Sequence, residues 1–338
     1  MNAKYLATAL VLFGGSVFAQ VGELYDADVN EMTNISNPAR AVKAANGQWL
    51  AFSMPVIEGT RSPCCWKGKW GAMGQAGCSL EPGHTSYGSR SDSPLVDEVI
   101  VYAGIRDGHV HKLRVMGEQC PVDGNAARVT WIGSVDDKAG MDWLENIARE
   151  DDSDGALYAL ALHRNDAAAK RLYSLARDTD ADRGSEAVFW LGAVRGEQGF
   201  KQLEHLLDEL PHGDRRREIN FALSQNDSRE AAQLLLEISK SDPDREQRGE
   251  ALFWLAQEYP QQASGWLQEV IANERNEDIL AKAVFAVSQL PDEDSSRMLL
   301  EIAQDKDAPR EARRQALFWL AQSDDEEAVA ALADLLTR

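Results

Sequence analysis

Apolar positions change their period partway along the chain. Before residue 136 they fall in short runs. Trp49, Leu50, Phe52 and Val56 lie within 48–56, and the runs Val96–Ile105 and His109–Met116 flank Asp107-Gly108. Short apolar runs bounded by turn residues predict strands, and Asp-Gly between two of them predicts a hairpin. Ala127–Ile132 adds a fourth candidate strand. The Gly-, Ser- and Cys-rich stretch 58–93 is too long for an ordinary loop, so it is either functional or covalently stapled.

From about Gly155 the period becomes helical and the pattern repeats. Six segments share one form: Ala156–Leu160, Ala187–Leu191, Ile219–Leu223, Ala251–Leu255, Ala283–Val287 and Ala316–Leu320. Their central aromatics, Tyr158, Phe189, Phe221, Phe253, Phe285 and Phe318, are 31 to 33 residues apart. A second apolar run follows most of them, as in Leu203/Leu206/Leu207/Leu210 or Trp266/Leu267/Val270/Ile271. Breakers such as Pro211, Pro243, Pro260, Pro291 and Pro309 fall between the runs. Each unit reads as a helix pair that buries its apolar face only by stacking on neighbours.

Arg313-Arg314-Gln315-Ala316 and Asp325-Glu326-Glu327-Ala328-Val329-Ala330-Ala331-Leu332 resemble the lead-in and second helix of the short HEAT-like repeats first described in phycobilisome lyases. The resemblance spans about residues 154–338 and implies an α-solenoid of about six repeats. It also implies, as in related solenoids, that second helices line the concave surface. Polar positions of those helices include Glu204, Asp208, Glu230, Glu237, Gln268, Glu269, Glu301, Gln304, Glu327 and Asp334. The expected partner is therefore a protein, basic or cationic; the competing reading is that these charges only solvate the face. Di-iron hydroxylases built on such repeats carry His-Glu dipeptides, and none of the six histidines here precedes a Glu. Nothing speaks for tetrapyrrole chemistry either. No catalytic residue and no cofactor are expected.

Within the repeat, the residue after the aromatic alternates: Ala159, Trp190, Ala222, Trp254, Ala286, Trp319. At about 100° per residue, Phe318 and Trp319 fall on opposite flanks of their helix, facing the neighbouring repeats. Large alternating with small predicts interlocking between repeats; the competing reading is an exposed aromatic stripe for a partner.

Charge sharpens the division. The 338 residues carry 55 acids and 35 bases, a net charge of −20. Residues 20–140 contribute −3 and residues 141–338 contribute −18. Such an excess excludes nucleic-acid backbones and anionic lipid as partners. Lys4, the uncharged run 6–18 and Val17-Phe18-Ala19 read as a signal peptide over 1–19, with no membrane insertion once it is cleaved. In an exported chain, Cys64, Cys65, Cys78 and Cys120 read as two disulfides. Adjacent cysteines rarely bond each other, so Cys64 and Cys65 should take one each of Cys78 and Cys120, in either order. Zinc is the competing reading, and spacings of 13 or 14 and then 42 lack the close ligand pairs of structural zinc sites.

His109 and His111 stand at i and i+2, where one strand face could chelate a metal. Leu113 and Val115 continue that face, which favours histidines at the edge of a small core. The stretch His84–Gly88 lacks a nucleophile elbow. The expected chain is α+β: a signal peptide over 1–19, a small disulfide-stapled β-rich domain over 20–135, a linker and capping helix over 136–153, and an all-α HEAT-like solenoid over 154–338. Its expected role is an exported interaction scaffold. The alternative makes the β-rich domain a ligand-binding or hydrolytic head, with His84, Asp107, His109 and His111 as candidates.

Overall fold

A computed structural model describes residues 22–67, 75–76, 78–81, 86–88, 92–150, 155–178, 180–210, 213–323, 325, 329–330 and 332–333. Residues 1–19, read above as a signal peptide, and His84, Glu327 and Asp334 lie outside the described residues. Among the described residues a strand-rich part is followed by twelve helices, so the chain is α+β.

The main sheet contains β1 (Leu24–Glu31), β2 (Trp49–Pro55), β5 (Cys78–Ser79), β7 (Glu98–Arg106), β8 (His109–Gly117) and β9 (Val122–Ser134), while β3 (Cys64–Lys67), β4 (Gln75–Ala76) and β6 (Ser86–Gly88) form a small second sheet. The main order is β1-β9-β2-β7-β8, with β5 also on β9. β9 runs parallel to β1 and β2, whereas β2, β7 and β8 are antiparallel neighbours. Asp107 and Gly108 both take positive φ, 52° and 80°, the requirement of a tight primed turn. Strand alternation then divides the core. Leu50, Phe52 and Met54 of β2 join Val99, Val101 and Ile105 of β7 on one face. Trp49 and Ala51 join Ile100 and Tyr102 on the other, with all four cysteines. A sheet with two apolar faces must be covered twice.

One cover is the disulfide module. Cys64 bonds Cys120 and Cys65 bonds Cys78, which resolves the pairing left open by sequence. The two bridges touch, with Cys78 and Cys120 sulfurs 3.7 Å apart. Cys64–Cys120 ties the long 58–93 stretch to the β8–β9 connection, and Cys65–Cys78 closes a loop within the stretch.

The other cover is helical. Helix α1 (Asp137–Ala148), capped by the Asp136 carboxylate on Ala139 N–H, sets Trp143 edge-on against Phe52 at 5.6 Å. Helix α2 (Ala156–Leu162) follows, and its end is stitched to the sheet by backbone. Ile57 N–H donates to Leu162 at 2.9 Å and Arg164 N–H to Pro55 at 3.1 Å. The core therefore runs unbroken from β2 into the helices, holding Leu50 and Phe52 together with Leu157, Leu191 and Leu223.

The pairs continue as α2 with α3 (Ala167–Ala176), α4 (Ala181–Val194) with α5 (Gly196–Glu209), and α6 (Asp214–Ser224) with α7 (Arg229–Ser241). Next come α8 (Arg245–Glu258) with α9 (Pro260–Asn273), α10 (Glu277–Ser288) with α11 (Asp292–Gln304), and α12 (Arg310–Ala321). This is a HEAT-like stack. Its first helices approach closely: a Cβ on Gly192 would fall inside the Ala222 carbonyl of α6. Arginines satisfy helix C-terminal carbonyls across the stack. Arg183 donates to Ala148 at 2.7 Å, Arg215 to Ala176 at 2.8 Å, buried Arg195 to His163 at 2.6 Å, and Arg216 to Leu207. Bases spent on such seams leave the acids in excess at the surface.

Candidate interaction surface

Nine rings form a continuous ladder along the first helices. Tyr158 packs on Trp190 at 4.6 Å, Phe221 on Trp254 at 4.7 Å and Phe285 on Trp319 at 5.1 Å. Each Trp also meets the Phe of its own helix edge-on at 4.8 to 5.0 Å. Those Phe rings stack on the next repeat, Phe189 on Phe221 at 5.7 Å and Phe253 on Phe285 at 5.9 Å. Alternating Trp and Ala thus fixes a two-repeat period: every Trp reaches back, and every Phe of the ladder before Phe318 reaches forward. Tyr158 at the start is buried, the middle rings are half-buried, and Phe318 at the end is 53% exposed. The interlocking ladder and the exposed aromatic stripe are one feature.

Two hollows open on this strip. The first, about 560 Å³, is floored by Tyr158, Trp190 and Leu162 and walled by the loop Ile57–Arg61 and by Asp227. The strand-rich part thereby contributes directly to the helical face. The second, about 540 Å³, lies over Phe221, Phe253 and Trp254, with Asp214, Glu218 and Glu250 around it. Burial pushes the Glu250 carboxyl up, against the opposing pull of Arg217 and Lys282. Trp190 anchors its indole N–H on Glu186 at 3.0 Å. Burial also raises the Tyr158 hydroxyl to about 12, so it is neutral across the physiological range.

The polar row expected on the second helices is spread along them. Glu204 and Asp208 on α5, Glu230 and Glu237 on α7, Gln268 on α9 and Glu301 on α11 are all exposed. Only Gln268 and Glu301 come together, around a hollow of about 440 Å³ that Ile271 and Met298 also line. Cations partly answer this side: Lys240 pairs Glu269 at 2.8 Å, and Arg297 pairs Glu301 at 3.2 Å.

The histidines do not converge. A bulge between Gly104 and Ile105 breaks the β7–β8 register opposite residues 110–112. His109 reaches toward Glu150 at 3.7 Å, just past α1, while His111 lies against Trp49 on the disulfide side. Asp107 is spent in the hairpin turn. Among the described residues, the cysteine sulfurs are the only compact metal-type cluster, and they are consumed in disulfides.

Sequence reading passed over His163, which is fully buried where α2 ends against the sheet. Its Nδ1 accepts from Asn165 N–H at 3.1 Å, and its Nε2 points toward Asp137 at 3.9 Å. A lone His directly after the first aromatic segment was the available signal. Also passed over was a small residue five places after each repeat's lead position: Ala161, Gly192, Ser224, Ala256, Ser288 and Ala321.

No family model and no curated protein matches the chain. Solved structures with similarity include human deoxyhypusine hydroxylase in complex with glycerol, at 16% identity and a TM-score of 0.28, covering 59% of this chain and 90% of that one. The CpcE–CpcF complex of phycocyanin lyase from Nostoc sp. PCC7120 shares 18% identity at a TM-score of 0.30, covering 56% and 79%. A structure of TOG–tubulin binding specificity shares 16% at 0.22, covering 60% and 78%. All three likenesses are remote, and the HEAT-like character rests on the chain's own stacked helix pairs. Among the described residues no helix is long and apolar enough to cross a membrane.

Proposed function

We propose that this chain is an exported, non-catalytic scaffold that binds a protein partner along its helical-repeat surface. The aromatic ladder carries the reading. It is a continuous apolar strip spanning six first helices, held in fixed geometry by ring packing and left half-open to solvent. Rigid aromatic side chains lose little entropy on binding and supply much of the energy at protein interfaces. Left bare on a soluble chain, such a strip is an aggregation hazard, which a partner removes. Export rests on the reading of residues 1–19 and agrees with the two disulfides.

The test is photo-cross-linking from position 318 in cells, followed by hydrogen exchange on the purified complex. The reading expects a specific partner that protects α4, α6, α8 and α10. Protection confined to residues 22–135 would overturn it in favour of a strand-rich head. Because sheet and helices share one core, the whole chain must be used; deleting the strand-rich part would bare Leu157 and its neighbours.

A further inference from the structure

We propose that the ladder face receives an extended peptide bearing Arg or Lys side chains, with one cation seated in each of the two hollows. This rests on the scaffold reading and adds the partner's chemistry and register. Both hollows join an indole to carboxylates at two-repeat spacing: Trp190 with Glu58 and Asp227, then Trp254 with Asp214, Glu218 and Glu250. A cation over such a ring meets the negative π face and the carboxylate charge together.

The resident countercharges do not cancel these acids. At the first hollow Arg61 faces Glu58 and Asp227, and its guanidinium is already engaged by the Ser93 carbonyl at 3.0 Å. At the second, Arg217 bonds Asp214 and lies 3.5 Å from Glu250, while Arg215 lies 3.3 Å from Glu218. Lys282 is held by Glu246 at 2.5 Å. An anionic segment would meet repulsion at both places. An uncharged one would gain nothing from the acids at either hollow.

Ring spacing limits the register. Steps of 4.8, 5.7 and 4.7 Å lead from Trp190 through Phe189 and Phe221 to Trp254. The two indoles are therefore no more than about 15 Å apart. An extended chain advances about 3.3 Å per residue and presents alternate side chains on one side. Cations four positions apart, at about 13 Å, fall within that limit and take the most widely separated same-side spacing it allows.

The probe is a fluorescent Ser/Thr peptide with two arginines four positions apart, titrated onto the full chain by anisotropy. Comparison peptides carry adjacent arginines or two glutamates at the original positions. We expect the i,i+4 arginine peptide to bind at least about tenfold tighter than the glutamate peptide, weakening in high salt. The double variant Asp227→Asn with Glu250→Gln, which keeps side-chain shape, should lose about tenfold in affinity while its thermal midpoint holds. Equal binding of the glutamate peptide, unchanged binding by the double variant, or displacement by a neutral oligosaccharide would each overturn the proposal. A captured partner that protects the ladder in hydrogen exchange, with no binding of the arginine peptide, overturns the cationic assignment and leaves the scaffold reading standing.

Discussion

Acidification should loosen this protein at a joint set by His163. The imidazole is wholly buried where α2 meets the sheet. Burial lowers its pKa from 6.5 to about 4, with Asp137 pulling the opposite way and Arg195, Arg164 and Arg171 reinforcing the drop. The unfolded chain thus takes up this proton first. The stability held by neutral His163 is complete above pH 6.5 and drains away as pH falls toward 4. A displacement of that size corresponds to about 3 kcal/mol over the interval. That is a large part of a typical domain's stability. The assay is urea unfolding at several pH values for the parent and for His163→Asn, whose Oδ1 can take the Nδ1 place and accept from Asn165. Carboxylates such as Asp142, Asp178 and Glu311, whose pKa values are lowered, titrate alike in both proteins. The difference between the curves isolates the imidazole. The parent should lose about 3 kcal/mol more than the variant between neutral and pH 4. Parallel curves would refute the reasoning.

Three other outcomes follow from packing. Removing the Cys64–Cys120 bridge by alanines, across a separation of 56 residues, should cost about 4 kcal/mol, and removing Cys65–Cys78, across 13, about 3 kcal/mol, both read by urea midpoints; a loss under about 1 kcal/mol for either would count against the chain-entropy account. Trp254→Ala, which empties a half-buried place between Phe221 and Phe253, should cost about 2–3 kcal/mol, whereas Phe318→Ala at the open end should cost under about 1 kcal/mol, and equal losses in calorimetry would show that the ladder is not cooperative. Gly192→Ala should destabilise by about 2 kcal/mol despite its better helix propensity, since α4 must move off α6; a gain in thermal midpoint would contradict the close approach.

Periodic features were readable because their causes are local. The Asp107-Gly108 hairpin needs only two residues willing to take positive φ, and the helix pairs declare themselves by recurring near every 32 residues. Non-local facts were not readable. Nothing within 24–31 or 122–134 says that β1 and β9 run parallel, and nothing near Cys64 says that its partner is Cys120. A single-residue bulge sufficed to part His109 from His111, because register depends on the opposite strand. The proposed binding face posed a similar difficulty. Acids on the second helices were conspicuous as letters, but the exposure left to the ladder after packing depends on how far each Trp reaches into the preceding repeat. A division of the chain by composition likewise says nothing of a core that crosses it, because Leu50 and Leu157 become neighbours only when α2 docks.

That shared core bears on the order in which the molecule can assemble. A stack of helix pairs lacks a natural starting point, since any pair could begin and any neighbour follow. Here the sheet and α1 precede the repeats in the chain, so a polypeptide growing from its amino end completes a finished apolar platform before the first pair emerges. Each later pair then condenses on a surface already in place, as layers grow on a seed. The repeats gain a direction of growth, and the pairs farthest from the sheet along the chain are the last to set.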